Sequence, residues 1–162
     1  MSRASVREAV VNYFQPPRAI GLNKVFPSMP KRIEGYWFRY GQPSGVASGA
    51  VGIVQLVGEN EERIAIGGEH SGKKRVHYDV QLELYQHSVQ RNAEDAMADF
   101  DALVDNVKAA LRADRRLGDY PIIFEAGEQY LLGEYGEPKV LGDGSTEIWG
   151  AIRFEVSEVL DT

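Results

Sequence analysis

From Val76 to Leu84 the chain alternates without a break. Val76, Tyr78, Val80, Leu82 and Leu84 are apolar, and His77, Asp79, Gln81 and Glu83 between them are polar. A period of two over nine residues is incompatible with a helix. It predicts a strand with one face on a core and the other in water. The period then changes. After a polar link at Ser88–Arg91, Asn92 offers an N-cap, and Met97, Phe100, Val104, Val107 and Leu111 recur at spacings of three and four, which places them on one stripe of an amphipathic helix. A sheet with a long helix laid across it is the minimum these two segments demand.

The rest of the chain adds elements of the same kind. Ser5–Phe14 reads as a short helix with Val6, Ala9, Val10, Tyr13 and Phe14 on one side, Ser5 and Glu8 in capping-box spacing, and Pro16 and Pro17 as its stop. Residues 15–47 are irregular and hold five of the seven prolines. Within them Ile33–Tyr40 is a strand candidate. Gly41–Gly49 is a small-residue linker. Ala50–Val57 and Arg63–Ile66 read as two strands of a hairpin whose polar tip is Glu59–Glu62. Gly118 is placed to close the long helix. Ile122–Ala126 and Gln129–Tyr135 are short strand candidates, Pro138–Ser145 is a turn-rich connection, and Thr146–Val159 is a closing strand with Ile148, Ile152, Phe154 and Val156 on one face.

Strand following strand through short turns favours antiparallel pairing. The expected class is α+β: one antiparallel or mixed β-sheet flanked by a short N-terminal helix and a long central helix. Its length of 162 residues suits a single domain over 1–162, with 15–47 as a proline- and aromatic-rich arm or insertion.

Composition narrows the chemistry. With no cysteine, disulfides, thiolate metal sites and thiol catalysis are excluded. The formal net charge is −6, and the longest basic run is Lys73–Arg75, so the broad basic surface of a duplex-binding protein is missing. No apolar run approaches the roughly 18 residues of a membrane span, and Met1–Val11 does not read as a signal peptide.

Candidate chemical sites are few. His77, Asp79 and Glu83 share the outward face of one strand and could bind a divalent metal, or simply form a solvated face; neighbours two apart on a strand stand about 6–7 Å apart. Gly67, Gly68, Ser71, Gly72 and Lys73 lack the phosphate-loop spacing, and they lead into a strand where a helix N-terminus is needed. Ser28, His70 and His87 come with no nucleophile elbow. Tyr36, Trp37, Phe38 and Tyr40 put four aromatics in five residues. They read either as core or as a protein–protein contact, where aromatics act as anchors.

In the order of its elements the chain resembles the tail-terminator proteins of long-tailed, non-contractile bacteriophages. The stretches carrying the resemblance are KKRVHYDVQLELY followed by NAEDAMADFDALVDNVKAALRADRRLG, and the closing IWGAIRFEVSEVL. It is best over Lys73–Gly118 and from Thr146 onward, and segment 15–47 does not match. The resemblance implies a structural virion protein in the tail or neck, assembled in the host cytoplasm. It implies a homohexameric ring that caps the tail tube, stops its polymerisation and offers the head-joining surface. Its partners would be itself, the tail tube protein and a head–tail stopper or connector protein. DNA would pass through the lumen without specific binding, and no membrane, enzyme activity or cofactor is implied. On that reading Tyr36, Trp37, Phe38 and Tyr40 belong to an interface, and Glu59, Glu61 and Glu62 face the lumen or an axial partner. The alternatives are another neck protein (a stopper or connector) and, in a different class, a small metal-dependent hydrolase using the His77/Asp79/Glu83 face.

Overall fold

The computed structural model describes residues 3–16, 20–31, 49–65, 72–89, 93–114, 116–118, 123–124, 132–142 and 144–161. Its elements in chain order are α1 (Arg3–Phe14), β1 (Lys24–Phe26), β2 (Gly49–Ala65), β3 (Lys73–Ser88), α2 (Ala93–Ala113), β4 (Ile123–Phe124), β5 (Leu132–Tyr135), β6 (Lys139–Val140) and β7 (Thr146–Asp161). The strands run β1-β2-β3-β7-β4 across one sheet, with β5 and β6 also paired to β7. β1 joins β2 in parallel and the other pairs are antiparallel. The protein is therefore α+β, with a mixed sheet and, among the described residues, two helices.

The alternation of β3 sets the core. Val76, Tyr78, Val80, Leu82 and Leu84 are each no more than 3% exposed. Their register partners on β7 include Val156, Phe154, Ile152 and Gly150, so the two strands present one continuous apolar face. Both helices lie on that face. α2 buries Ala96, Phe100, Leu103, Val104, Val107 and Leu111, and Met97 packs at the margin. α1 buries Val6, Val10 and Phe14, whose ring meets Phe154 edge-on at 6.4 Å. The Tyr13 hydroxyl donates to the Ala110 carbonyl at 2.7 Å and ties the helices together. Gly150 leaves the room that Phe100 fills: a Cβ there would stand 2.7 Å from Phe100 Cζ.

Three expectations are corrected. α1 begins by Arg3, so Ser5 and Glu8 lie inside the helix and form no capping box; Arg3 and Ala4 are good helix formers and extend it toward the N-terminus. Gly118 has φ +84°, but Leu117 ahead of it is also left-handed, at +47°. Asp114 organises this turn: its carboxylate accepts from the Arg116 and Gly118 amides at 2.9 and 2.8 Å. Leu117, fully buried, anchors it.

The largest correction concerns the acidic hairpin tip. Glu59–Glu62 are not a turn. β2 runs unbroken from Gly49 to Ala65, and its register against β3 places Glu59 opposite Tyr78, Glu61 opposite Val76 and Glu62 opposite Arg75. β2 ends at Ala65 and β3 begins at Lys73. Two bulges mask the strand's period of two. The register steps from Leu56↔Val80 to Gly58↔Asp79 and from Arg63↔Lys74 to Ala65↔Lys73, so Val57 and Ile64 are extra residues, 51% and 41% exposed. Each bulge exchanges the two faces of the strand and breaks the period of two.

Candidate functional site

The sheet face away from the helices carries the odd positions of β3, and these are not uniformly wet as the alternation suggested. Gln81 and Glu83 are 8% and 9% exposed, because β3 lies between two long strands and its polar side chains are walled in by theirs. Near β1, Phe26, Val51 and Ile53 form a small second core with Tyr85 against it. Beyond it the face becomes a hydrogen-bonded network centred on Glu83. Its carboxylate accepts from Gln55 Nε2 at 3.2 Å, Gln81 Nε2 at 3.0 Å and the Tyr85 hydroxyl at 3.1 Å. Arg153 of β7 donates to Gln81 Oε1 at 2.8 Å and extends the network across a third strand. Burial, with the Glu83 charge beside it, pushes the Tyr85 phenol up to about 12, so Tyr85 is held as a donor. A carboxylate meeting three donors is well satisfied for a group so far out of water.

Further along the same face, His77 bridges the outer strands. Its Nδ1 is 2.6 Å from Glu155 on β7 and its Nε2 is 3.3 Å from Glu62 on β2. Burial alone would lower the imidazole pKa, but hydrogen bonds and charge from Glu155 and Glu62 outweigh it and raise the value above the ordinary 6.5. With an acceptor at each nitrogen the imidazolium is the form that fits. On the helix face of the same strand, the Tyr78 hydroxyl donates to Glu158 at 2.8 Å. Burial and the surrounding carboxylates raise its pKa far above the ordinary phenol.

The proposed metal trio is thereby dispersed. His77 has both nitrogens engaged, Glu83 is held by two amides and a phenol, and Asp79 is exposed opposite Gly58. No group of three His, Cys, Asp or Glu capable of holding a metal occurs among the described residues.

Glu59, Glu61 and Glu62 are brought into one strand segment, each facing a cation. Glu59 pairs with Arg3 of α1 at 3.3 Å, Glu61 with Lys74 at 3.4 Å, and Glu62 with Arg75 at 3.6 Å. Opposite charges facing each other offset part of the poor strand propensity of Glu, while the backbone ladder with β3 holds the segment. Tyr36, Trp37, Phe38 and Tyr40 lie outside the described residues, as do Ile33, residues 41–48 of the linker, and Gly67–Ser71. A cleft of about 230 Å³ opens between α2 and the start of β2, lined by Ile20, Asn23, Ala50, Gln86, Asp99 and Leu103 among others. No helix among the described residues is long and apolar enough to cross a membrane.

Sequence reasoning missed Gln55, Gln81, Tyr85 and Arg153 as network members and Glu62–His77–Glu155 as a bridge. The available signal was the run Gln81–Glu83–Tyr85: an amide, a carboxylate and a phenol on one strand face can bond to one another where a run of lysines could not. Comparison with protein-family models gives no match, and neither does comparison with curated proteins.

Proposed function

We propose that this chain is a structural virion protein of a long-tailed, non-contractile bacteriophage: a tail terminator whose copies form a hexameric ring on the end of the tail tube. The ring stops tube polymerisation and presents the surface to which the head joins through its stopper or connector. The observation that carries this reading joins sequence to fold. The two stretches with the resemblance supply β3 and β7, which pair residue for residue from Lys73↔Asp161 to Ser88↔Thr146. They also supply α2, here read as the family's long central helix, laid over that pair. What resembles the family is thus one contiguous structural unit.

On this reading Tyr36, Trp37, Phe38 and Tyr40 contact a neighbouring subunit or another neck protein, and the stretch bearing Glu59, Glu61 and Glu62 faces the lumen or an axial partner. Their ion pairs alter what that stretch does to DNA. Carboxylates matched by Arg3, Lys74 and Arg75 leave a nearly neutral surface, one that lets DNA slide without gripping it, in place of a strongly repelling one.

The test is co-assembly with a tail tube protein of such a phage. The reading expects rings of this chain at tube ends and tubes that stop growing when it is added. Failure to bind tube ends, with binding to the head connector instead, would assign the chain to the stopper class; binding to neither would remove the neck reading.

A further inference from the structure

We propose that Glu62, His77 and Glu155 form a protonation-dependent clasp across β2, β3 and β7 that stiffens the far end of the sheet. The geometry is a diagonal row: one imidazole on the middle strand, with Glu155 (opposite Asp79) on one flanking strand at 2.6 Å and Glu62 (opposite Arg75) on the other at 3.3 Å. The row sits at the end opposite β1, which pairs β2 only at Val51–Ile53. There β2 is weakened by the bulges at Val57 and Ile64, and residues 59–64 are all exposed.

The charged groups facing His77 among the described residues are Glu62 from β2, Glu155 from β7, and Arg75 and Asp79 two positions away on its own strand. Arg75 also pairs with Glu62 at 3.6 Å, so β2 keeps one cross-strand tie when His77 is neutral. Among the described residues Glu155 has no such substitute in the row: its register partner on β3 is Asp79, a like charge. Neutral His77 keeps one N–H, so loss of the proton removes the charge attraction to both carboxylates and one of the two hydrogen bonds, loosening both flanking strands from β3.

The sign follows from the direction of the shift. The folded value lies above 6.5, so the stabilisation is complete below 6.5 and is lost as pH rises through the raised value. Each unit of elevation corresponds to about tenfold in the opening equilibrium. Nothing in this inference depends on the ring reading; it concerns the isolated subunit.

Two measurements on the full chain test it. The first follows the His77 ring resonances by NMR against pH, with a midpoint expected above 6.5; a midpoint at or below 6.5 overturns the clasp. The second compares amide-exchange protection factors, corrected for intrinsic rates, at pH 6 and pH 9. Protection at residues 156–160 and 59–63 is expected to fall, by up to about tenfold per unit of elevation, while α2 is unchanged. In His77→Gln and in Glu155→Gln that dependence is expected to disappear. An equal pH dependence in wild type and in whichever variant folds overturns the clasp.

Discussion

The two faces of the central sheet are built from the same three strands and held by different physics. On the helix face, Leu82, Ile152 and Phe154 meet Phe100, Val104 and Phe14, and exclusion of apolar surface from water does the work. On the opposite face, Glu83, Gln81, Gln55, Tyr85 and Arg153 are held by directed hydrogen bonds, and His77 by charge. The apolar face tolerates imprecision in exchange for volume. The polar face tolerates little, because each buried polar atom needs its partner. A central strand in a sheet is therefore not read by labelling its polar side as wet.

The comparison breaks first where the apolar face is thickest. Phe100→Ala is expected to cost about 3–5 kcal/mol, since the ring is fully buried and Gly150 beneath it offers nothing to fill the void; a denaturant midpoint shift worth under about 1 kcal/mol would show the face is not closely packed. Gly150→Ala tests the same contact from the other side. Its added methyl meets Phe100 Cζ at 2.7 Å and Tyr135 Cδ1 at 3.0 Å, and overpacking is expected to cost about 1–3 kcal/mol, again read by denaturation.

On the polar face, Glu83→Gln keeps shape and removes charge. It is expected to cost about 1–2 kcal/mol, because three donors then face an amide that has one acceptor. It should also lower the Tyr85 pKa from about 12 toward the ordinary 10, with burial alone keeping it above 10. A ¹³C-tyrosine titration that leaves Tyr85 unmoved would remove Glu83 as a cause. The smallest effect belongs to the exposed ladder. Glu59→Gln, Glu61→Gln and Glu62→Gln are each expected to cost no more than about 1 kcal/mol in thermal or denaturant unfolding. Glu61→Lys, set against Lys74, should cost more than Glu61→Gln; equal effects would mean that the pairing in the ladder is inert.

These expectations locate what was legible in the sequence. β3, the stripe of α2 and the inward face of β7 were readable because each repeats a local period that burial enforces along its whole length. The acidic stretch of β2 reads locally as a turn because what holds it is not local. Glu59 is matched by Arg3, some 56 positions away, and Glu61 and Glu62 by Lys74 and Arg75, while the bulge at Val57 exchanges the faces just before it. The network around Glu83 was invisible for the same reason. Gln55 and Arg153 reach it from strands whose pairing no local pattern specifies. His77, Asp79 and Glu83 do share a strand face, as expected from the alternation; their partners, set by register with β2 and β7, decide that they act apart.

The most direct test of the central claim is electron microscopy of tail tubes assembled from their tube protein in the presence of this chain. A closed ring of identical copies is expected on one end of each tube, with β3 and β7 forming the core of every subunit. A lone copy without same-chain neighbours at the tube end, or tubes whose ends carry none of it, would contradict the account.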